Sequence, residues 1–203
     1  MDFSFDYSMK AVVNRHSLFI ETITNKLKGI ISHSETQITN DNLLKFVENA
    51  VFDSEVISKI NYGDITELIN AIYLRVSCKY SILSIYLEDR HINEIMVNGC
   101  NHIFVEKDKK ILEVDNAFYS DDELEGLIRM FASDVHREIN EANPIVDARL
   151  ENGYRVNGVL KNVALNGPIL TIRKFANEEI TLEDLVNNDT MPQECSDFLS
   201  KLV

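Results

Sequence analysis

The chain reads as an α+β protein: an N-terminal three-helix bundle, a mixed helix-on-antiparallel-sheet domain, then a helical linker. Three observations predict this. Apolar residues recur every three or four positions over the first 80 or so residues, and no proline interrupts the chain before Pro144. From about Asp89 the apolar runs become short and alternating, as in strands with one buried face. Asn152-Gly153 is flanked by two such runs, and both residues tolerate the positive φ of a tight hairpin turn. The expected divisions are residues 1–88, 89–175 and 176–203.

In the first part, Val12, Phe19, Ile23, Leu27 and Ile30 predict one helical face, ending near Gly29 and Ser32-His33-Ser34. Asn40-Asp41 supplies capping side chains for a second helix with Leu43, Leu44, Val47 and Val51. Asn61-Tyr62-Gly63-Asp64 predicts a turn, and Asp64 with Glu67 the capping box of a third helix carrying Ile65, Leu68, Ile69, Ile72 and Leu74. A short helical stretch over 81–87 leads out.

In the second part, residues 94–99 predict a strand and turn, and 102–107 with 110–114 a hairpin around Asp108-Lys109. Ser120-Asp121-Asp122-Glu123 is a capping box opening a helix with Leu124, Leu127, Ile128 and Phe131 on one face. Strands follow at 145–150 and 154–160, and a third at 168–175. Two capped helical pieces, opened by Thr181 and by Thr190-Met191-Pro192-Gln193, end the chain at Val203 inside an apolar helix. That ending predicts a fragment of a longer protein.

Composition narrows the function. The 203 residues carry 33 acidic and 20 basic side chains, a formal net charge of -13. Phosphate backbones and anionic lipid repel such a chain as a whole, which disfavours a general nucleic-acid or membrane-surface role. The apolar runs fall far short of the roughly 20 residues that span a bilayer. The acidic start, Met1 to Asp6, has no signal-peptide pattern, and three scattered cysteines, Cys78, Cys100 and Cys195, fit reduced thiols in the cytoplasm. There is no G-x-x-x-x-G-K-[ST] loop and no G-x-G-x-x-G, so the chain lacks the usual backbone cradle for nucleotide phosphates.

Charge is unevenly placed. Five of the eight arginines lie between Arg129 and Arg173, and positions 129–174 carry a net +2 against -15 elsewhere. Strand alternation puts Arg155 and Asn157 on one face opposite Val156, Asp147 with Arg149 on the preceding strand, and Thr171 with Arg173 on the next. If these strands are neighbours, Arg149, Arg155 and Arg173 converge. Guanidinium forks match phosphate oxygens and stabilise charge that builds up in phosphoryl transfer. The plainer reading is a solvated sheet face, with Asp147 paired to one of the arginines.

Other candidates are weaker. Cys100-Asn101-His102 lacks a second ligand pair at zinc-like spacing. His136 fits a polar residue at a helix C-terminus, and no serine or cysteine sits in a nucleophile-elbow context. Nothing in the sequence brings Glu94, Glu106 and Asp147 together as paired carboxylates.

From Ile92-Asn93-Glu94-Ile95-Met96-Val97-Asn98-Gly99 onward, several segments occur in a recognisable order. They are Ile103-Phe104-Val105-Glu106, residues 139–150 (INEANPIVDARL), Gly153-Tyr154-Arg155-Val156-Asn157, residues 165–175 (LNGPILTIRKF) and Thr181-Leu182-Glu183-Asp184-Leu185-Val186. Together they resemble the N-terminal domain of the CpaF/TadA-type ATPases, pilus-assembly members of the type II/type IV secretion ATPase superfamily. The resemblance covers roughly residues 89–203 and is weaker before that. It implies a cytoplasmic hexameric motor whose C-terminal RecA-like domain holds the P-loop and hydrolyses ATP with Mg2+. It also implies an N-terminal domain that packs over that site and turns Arg149, Arg155 and Arg173 toward the nucleotide phosphates. Further implied partners are an inner-membrane pilus or secretion platform protein, at the inner face of the membrane, and no nucleic acid. The chain ends before any P-loop, so alone it is expected to bind nucleotide poorly and hydrolyse none. The alternative is a non-catalytic interaction module, its helices and acidic surface docking a cytoplasmic or membrane-platform partner. A small-ligand sensor, which needs a closed apolar pocket, is a third option.

Overall fold

A computed structural model describes residues 8–33, 39–174 and 181–202. Helix α1 (Met9–Arg15) begins where the Ser8 hydroxyl accepts the Ala11 N–H at 3.2 Å. The expected single first helix is broken at His16, whose φ of -121° and ψ of 25° leave the helical region, and α2 (Ser17–Ser32) starts afresh. The break has a cause, since the His16 ring reaches the Asp64 carboxylate at 2.8 Å. It also turns the chain, so Val12, Val13, Ile20, Ile23 and Leu27 are buried whereas Ile30 is exposed.

The second expected helix is α3 (Asn40–Phe52), with Leu43, Val47 and Val51 inward but Leu44 exposed. The third is α4 (Ile65–Ser77), burying Leu68, Ala71 and Ile72. The expected Asp64–Glu67 capping box does not form, because the Asp64 side chain turns away from the helix start to Arg15 and His16. A 3₁₀ turn over Ser81–Leu83 and helix α5 (Ser84–Glu88) lead out. The helices α1 to α4 enclose one apolar cluster, which Ala117 from beyond the first hairpin also joins.

The strands form one six-stranded, fully antiparallel sheet. In chain order they are β1 (Ile92–Asn98), β2 (Ile103–Lys107), β3 (Lys110–Glu113), β4 (Ile145–Arg149), β5 (Arg155–Val159) and β6 (Ile169–Arg173). Their spatial order is β3-β2-β1-β6-β5-β4. The two hairpin groups are thus joined by β1 pairing with β6. The expected last residue of the third strand in the second group, Phe175, lies outside the described residues, as does Ser34. Helix α6 (Asp121–Asp134) covers one face. Its Leu124, Leu127, Ile128 and Phe131 pack with Ile95, Val97, Val156, Leu170 and Ile172 in the second apolar cluster. Gly158 permits this approach, since a Cβ there would sit 2.6 Å from a methyl of Ile128.

The Ser120 hydroxyl accepts the Glu123 N–H at 3.2 Å, as the box motif predicts. The Glu123 carboxylate, however, takes the Tyr119 N–H at 2.7 Å and the Arg75 guanidinium. Helix α7 (Leu182–Asn187) has a complete capping box between Thr181 and Asp184. Helix α8 (Gln193–Leu199) was expected to be capped, but Pro192 stands at its N-cap with no side-chain hydrogen bond. Among the described residues no helix is long and apolar enough to cross a membrane.

Candidate functional site

The three arginines singled out by the sequence stand in one row across three neighbouring strands. Arg149 on β4 is opposite Arg155 on β5, and Arg155 is opposite Arg173 on β6. The alternate residues Val146, Val156, Leu170 and Ile172 face α6, so the arginine face is the one turned to solvent. Directly opposed residues have Cβ atoms roughly 5 Å apart, so three in a row span roughly 10 Å. Like charges directly opposite one another disfavour strand pairing. Such a row is an electrostatic cost that the fold has to offset.

Carboxylates beside the row supply part of the offset. Arg155 donates its Nε–H to Asp147 Oδ1 at 3.1 Å and its Nη2–H to Oδ2 at 2.8 Å. The pair is open to solvent, with side-chain exposures of 64% and 47%. The hydrogen bond from Arg155 holds the Asp147 carboxyl below its usual range, and the same contact raises the guanidinium. Arg173 donates its Nε–H at 3.2 Å to Oε1 of Glu94, a carboxylate only 14% exposed. Asp147 thus pairs with an arginine as the plainer reading expected, yet the row still shares one accessible surface.

Beyond Arg173 the same row changes sign. Glu94 on β1 is opposite Arg173 on one side and Glu106 on the other. No sequence motif brings these two carboxylates together, but strand register does; Asp147 stays three strands from Glu94, on β4. Next along the strands lie Asp147, Asn157, Thr171, Met96 and Phe104.

The remaining candidates have structural duties. His102 bonds Glu113 at 3.1 Å, and burial, together with Asp121, pushes the Cys100 thiol up. His136 follows α6 with a φ of 54°. Its N–H reaches Ser133 O and the Arg137 N–H reaches Ala132 O, closing the helix as a Schellman motif. Among the described residues no group of three or more His, Cys, Asp or Glu is arranged to hold a metal ion.

Two buried cations that tie these elements together escaped sequence reasoning. Lys174, the next residue after β6, is buried, and its Nζ donates to Asp89 O at 2.6 Å and Tyr86 O at 3.3 Å, tying the arginine-bearing end of β6 to the corner between α5 and β1. The signal was a lysine at the inward position after Leu170 and Ile172. Arg75 is the other, a cation inside the apolar stripe of α4 next to Leu68 and Ile72.

No family model matches the chain. Over 113 residues it is 30% identical to the type IV secretion system protein VirB11 of Bartonella henselae, covering 55% of this chain and 32% of that protein. The similarity extends over about half of this chain and is to a protein of type IV secretion. It does not single out the CpaF/TadA-type branch. An uncharacterised protein of Methanocaldococcus jannaschii is 29% identical over 185 residues, 90% of this chain and 26% of its own length. A crystal structure of the VirB11 ATPase from the Brucella suis type IV secretion system in complex with sulphate aligns with 54% of this chain and 33% of its own. The TM-score is 0.46, at 27% identity. The chain thus spans about a fifth to a third of the length of the curated relatives it matches.

Proposed function

We propose that this chain is the N-terminal part of a hexameric secretion or pilus-assembly motor ATPase of the CpaF/TadA type. Arg149, Arg155 and Arg173 contact the phosphates of an ATP held by a RecA-like domain that this sequence does not contain. The helices before β1 and the sheet with α6 act as two domains, and residues 176–203 link them to the ATPase domain. The P-loop, the Mg2+ ligands and the hydrolytic chemistry belong to that domain. This chain contributes fixed positive charge along roughly 10 Å of an exposed surface. Domain motion couples hydrolysis to an inner-membrane assembly platform, with the protein cytoplasmic and peripheral to the membrane.

The observation that carries this reading is the register Arg149–Arg155–Arg173. Three like charges held side by side on accessible strands disfavour the sheet and favour a polyanion. The test is Arg155→Ala in the complete protein. A lost charge-assisted hydrogen bond predicts an ATP turnover about 10- to 100-fold lower in an assembled hexamer. Wild-type turnover would overturn the phosphate role of that residue.

A further inference from the structure

We propose that Asp147 competes with phosphate for Arg155 and thereby sets the affinity of the arginine row for polyphosphate ligands. The inference rests on the phosphate reading of that row and adds a residue that regulates it. Asp147 lies directly opposite Asn157, so its carboxylate reaches diagonally to Arg155, two residues back along β5. It occupies the Nε–Nη2 edge of the guanidinium through both oxygens. That edge presents two parallel donors, the geometry that also grips phosphate in a fork. A phosphate approaching by that edge has to displace the carboxylate first.

The exchange is inexpensive because both partners are wetted. Ion pairs at such exposure are weak and screened by salt, so a polyanion of higher charge can replace a single carboxylate. Glu94 differs in both respects. It meets Arg173 through Nε at 3.2 Å and is largely covered. Asp147 is therefore the mobile competitor, and Glu94 a fixed part of the row.

The experiment is calorimetric titration of sodium tripolyphosphate into this 203-residue chain at low ionic strength, with circular dichroism checking that each variant is folded. Asp147→Asn is expected to tighten binding about two- to fivefold, the range an exposed pair can contribute. Glu151→Gln, in the adjoining β4–β5 turn, removes the same charge without touching Arg155 and is expected to change affinity less. In an Arg155→Ala background, Asp147→Asn is expected to do nothing.

An Asp147→Asn effect no larger than that of Glu151→Gln, or one that persists without Arg155, overturns the competition while leaving the arginine row standing. Unchanged binding in Arg155→Ala alone overturns the phosphate reading and the inference together. No binding by either the wild-type chain or Asp147→Asn overturns the inference alone, because the phosphate reading has the nucleotide held by another domain.

Discussion

Arg75 is 1% exposed, and its guanidinium is engaged on every side. Nε donates to Glu123 Oε1 at 2.7 Å, Nη1 to Ala71 O at 2.9 Å and Nη2 to Ala117 O at 2.7 Å. It joins α4 in the first apolar cluster to the start of α6 in the second. Burial, with the Glu123 charge nearby, pushes the neighbouring Tyr119 hydroxyl up to about 12. Removing one partner of a buried pair leaves the other uncompensated. Glu123→Gln is therefore predicted to lower stability by about 3 kcal/mol in urea unfolding. Asp64 makes a second prediction. Its side chain has no exposed surface; burial alone would raise its pKa, but hydrogen bonds from Arg15 and His16 outweigh burial and hold it low. A depressed folded value means the stabilisation is complete above the unfolded value, about pH 4, and is lost as pH falls through the folded one. Asp64→Asn is predicted to be less stable than wild type at pH 7, with the gap closing below about pH 4 in thermal melts. A gap that widens in acid would contradict this. Neither partnership was legible, because sequence periodicity assigns Asp64 to a helix start and Arg75 to an apolar stripe without saying what each faces.

Elements were more legible than partners. The strand alternation, the Asn152-Gly153 turn and the Ser120 start of α6 follow from local chemistry, and each stands where the sequence predicts it. The break at His16 does not, since it depends on a carboxylate 48 residues away. Contact between α6 and the sheet hangs on Gly158, where a Cβ would meet Ile128 at 2.6 Å and Val146 at 3.1 Å. Gly158→Ala is predicted to cost about 1–3 kcal/mol by overpacking, measured by chemical denaturation. The end of α6 offers the opposite change. His136 holds a left-handed conformation that glycine adopts without steric penalty, so His136→Gly is predicted to raise the melting temperature by a few degrees.

At the scale of the whole molecule, two apolar clusters meet along a seam of hydrogen bonds. The Met9 and Lys10 N–H groups reach Asp115, and Arg75 reaches Glu123. The sequence predicted that the arginine strands share a face only on condition that they are neighbours. What meets that condition is the β4–β5 hairpin together with the β5–β6 pairing, and the second is a register that no local turn motif encodes. The result is a sheet with one face sealed by α6 and the other carrying three aligned guanidinium groups. In the proposed function this open face meets a triphosphate. The most direct measurement is a structure of the complete protein with a non-hydrolysable ATP analogue and Mg2+. Guanidinium nitrogens of the Arg149–Arg155–Arg173 row are predicted to lie about 3 Å from phosphate oxygens, with Asp147 turned away from Arg155. A nucleotide bound against any other surface, with the Arg155–Asp147 pair intact, would contradict it.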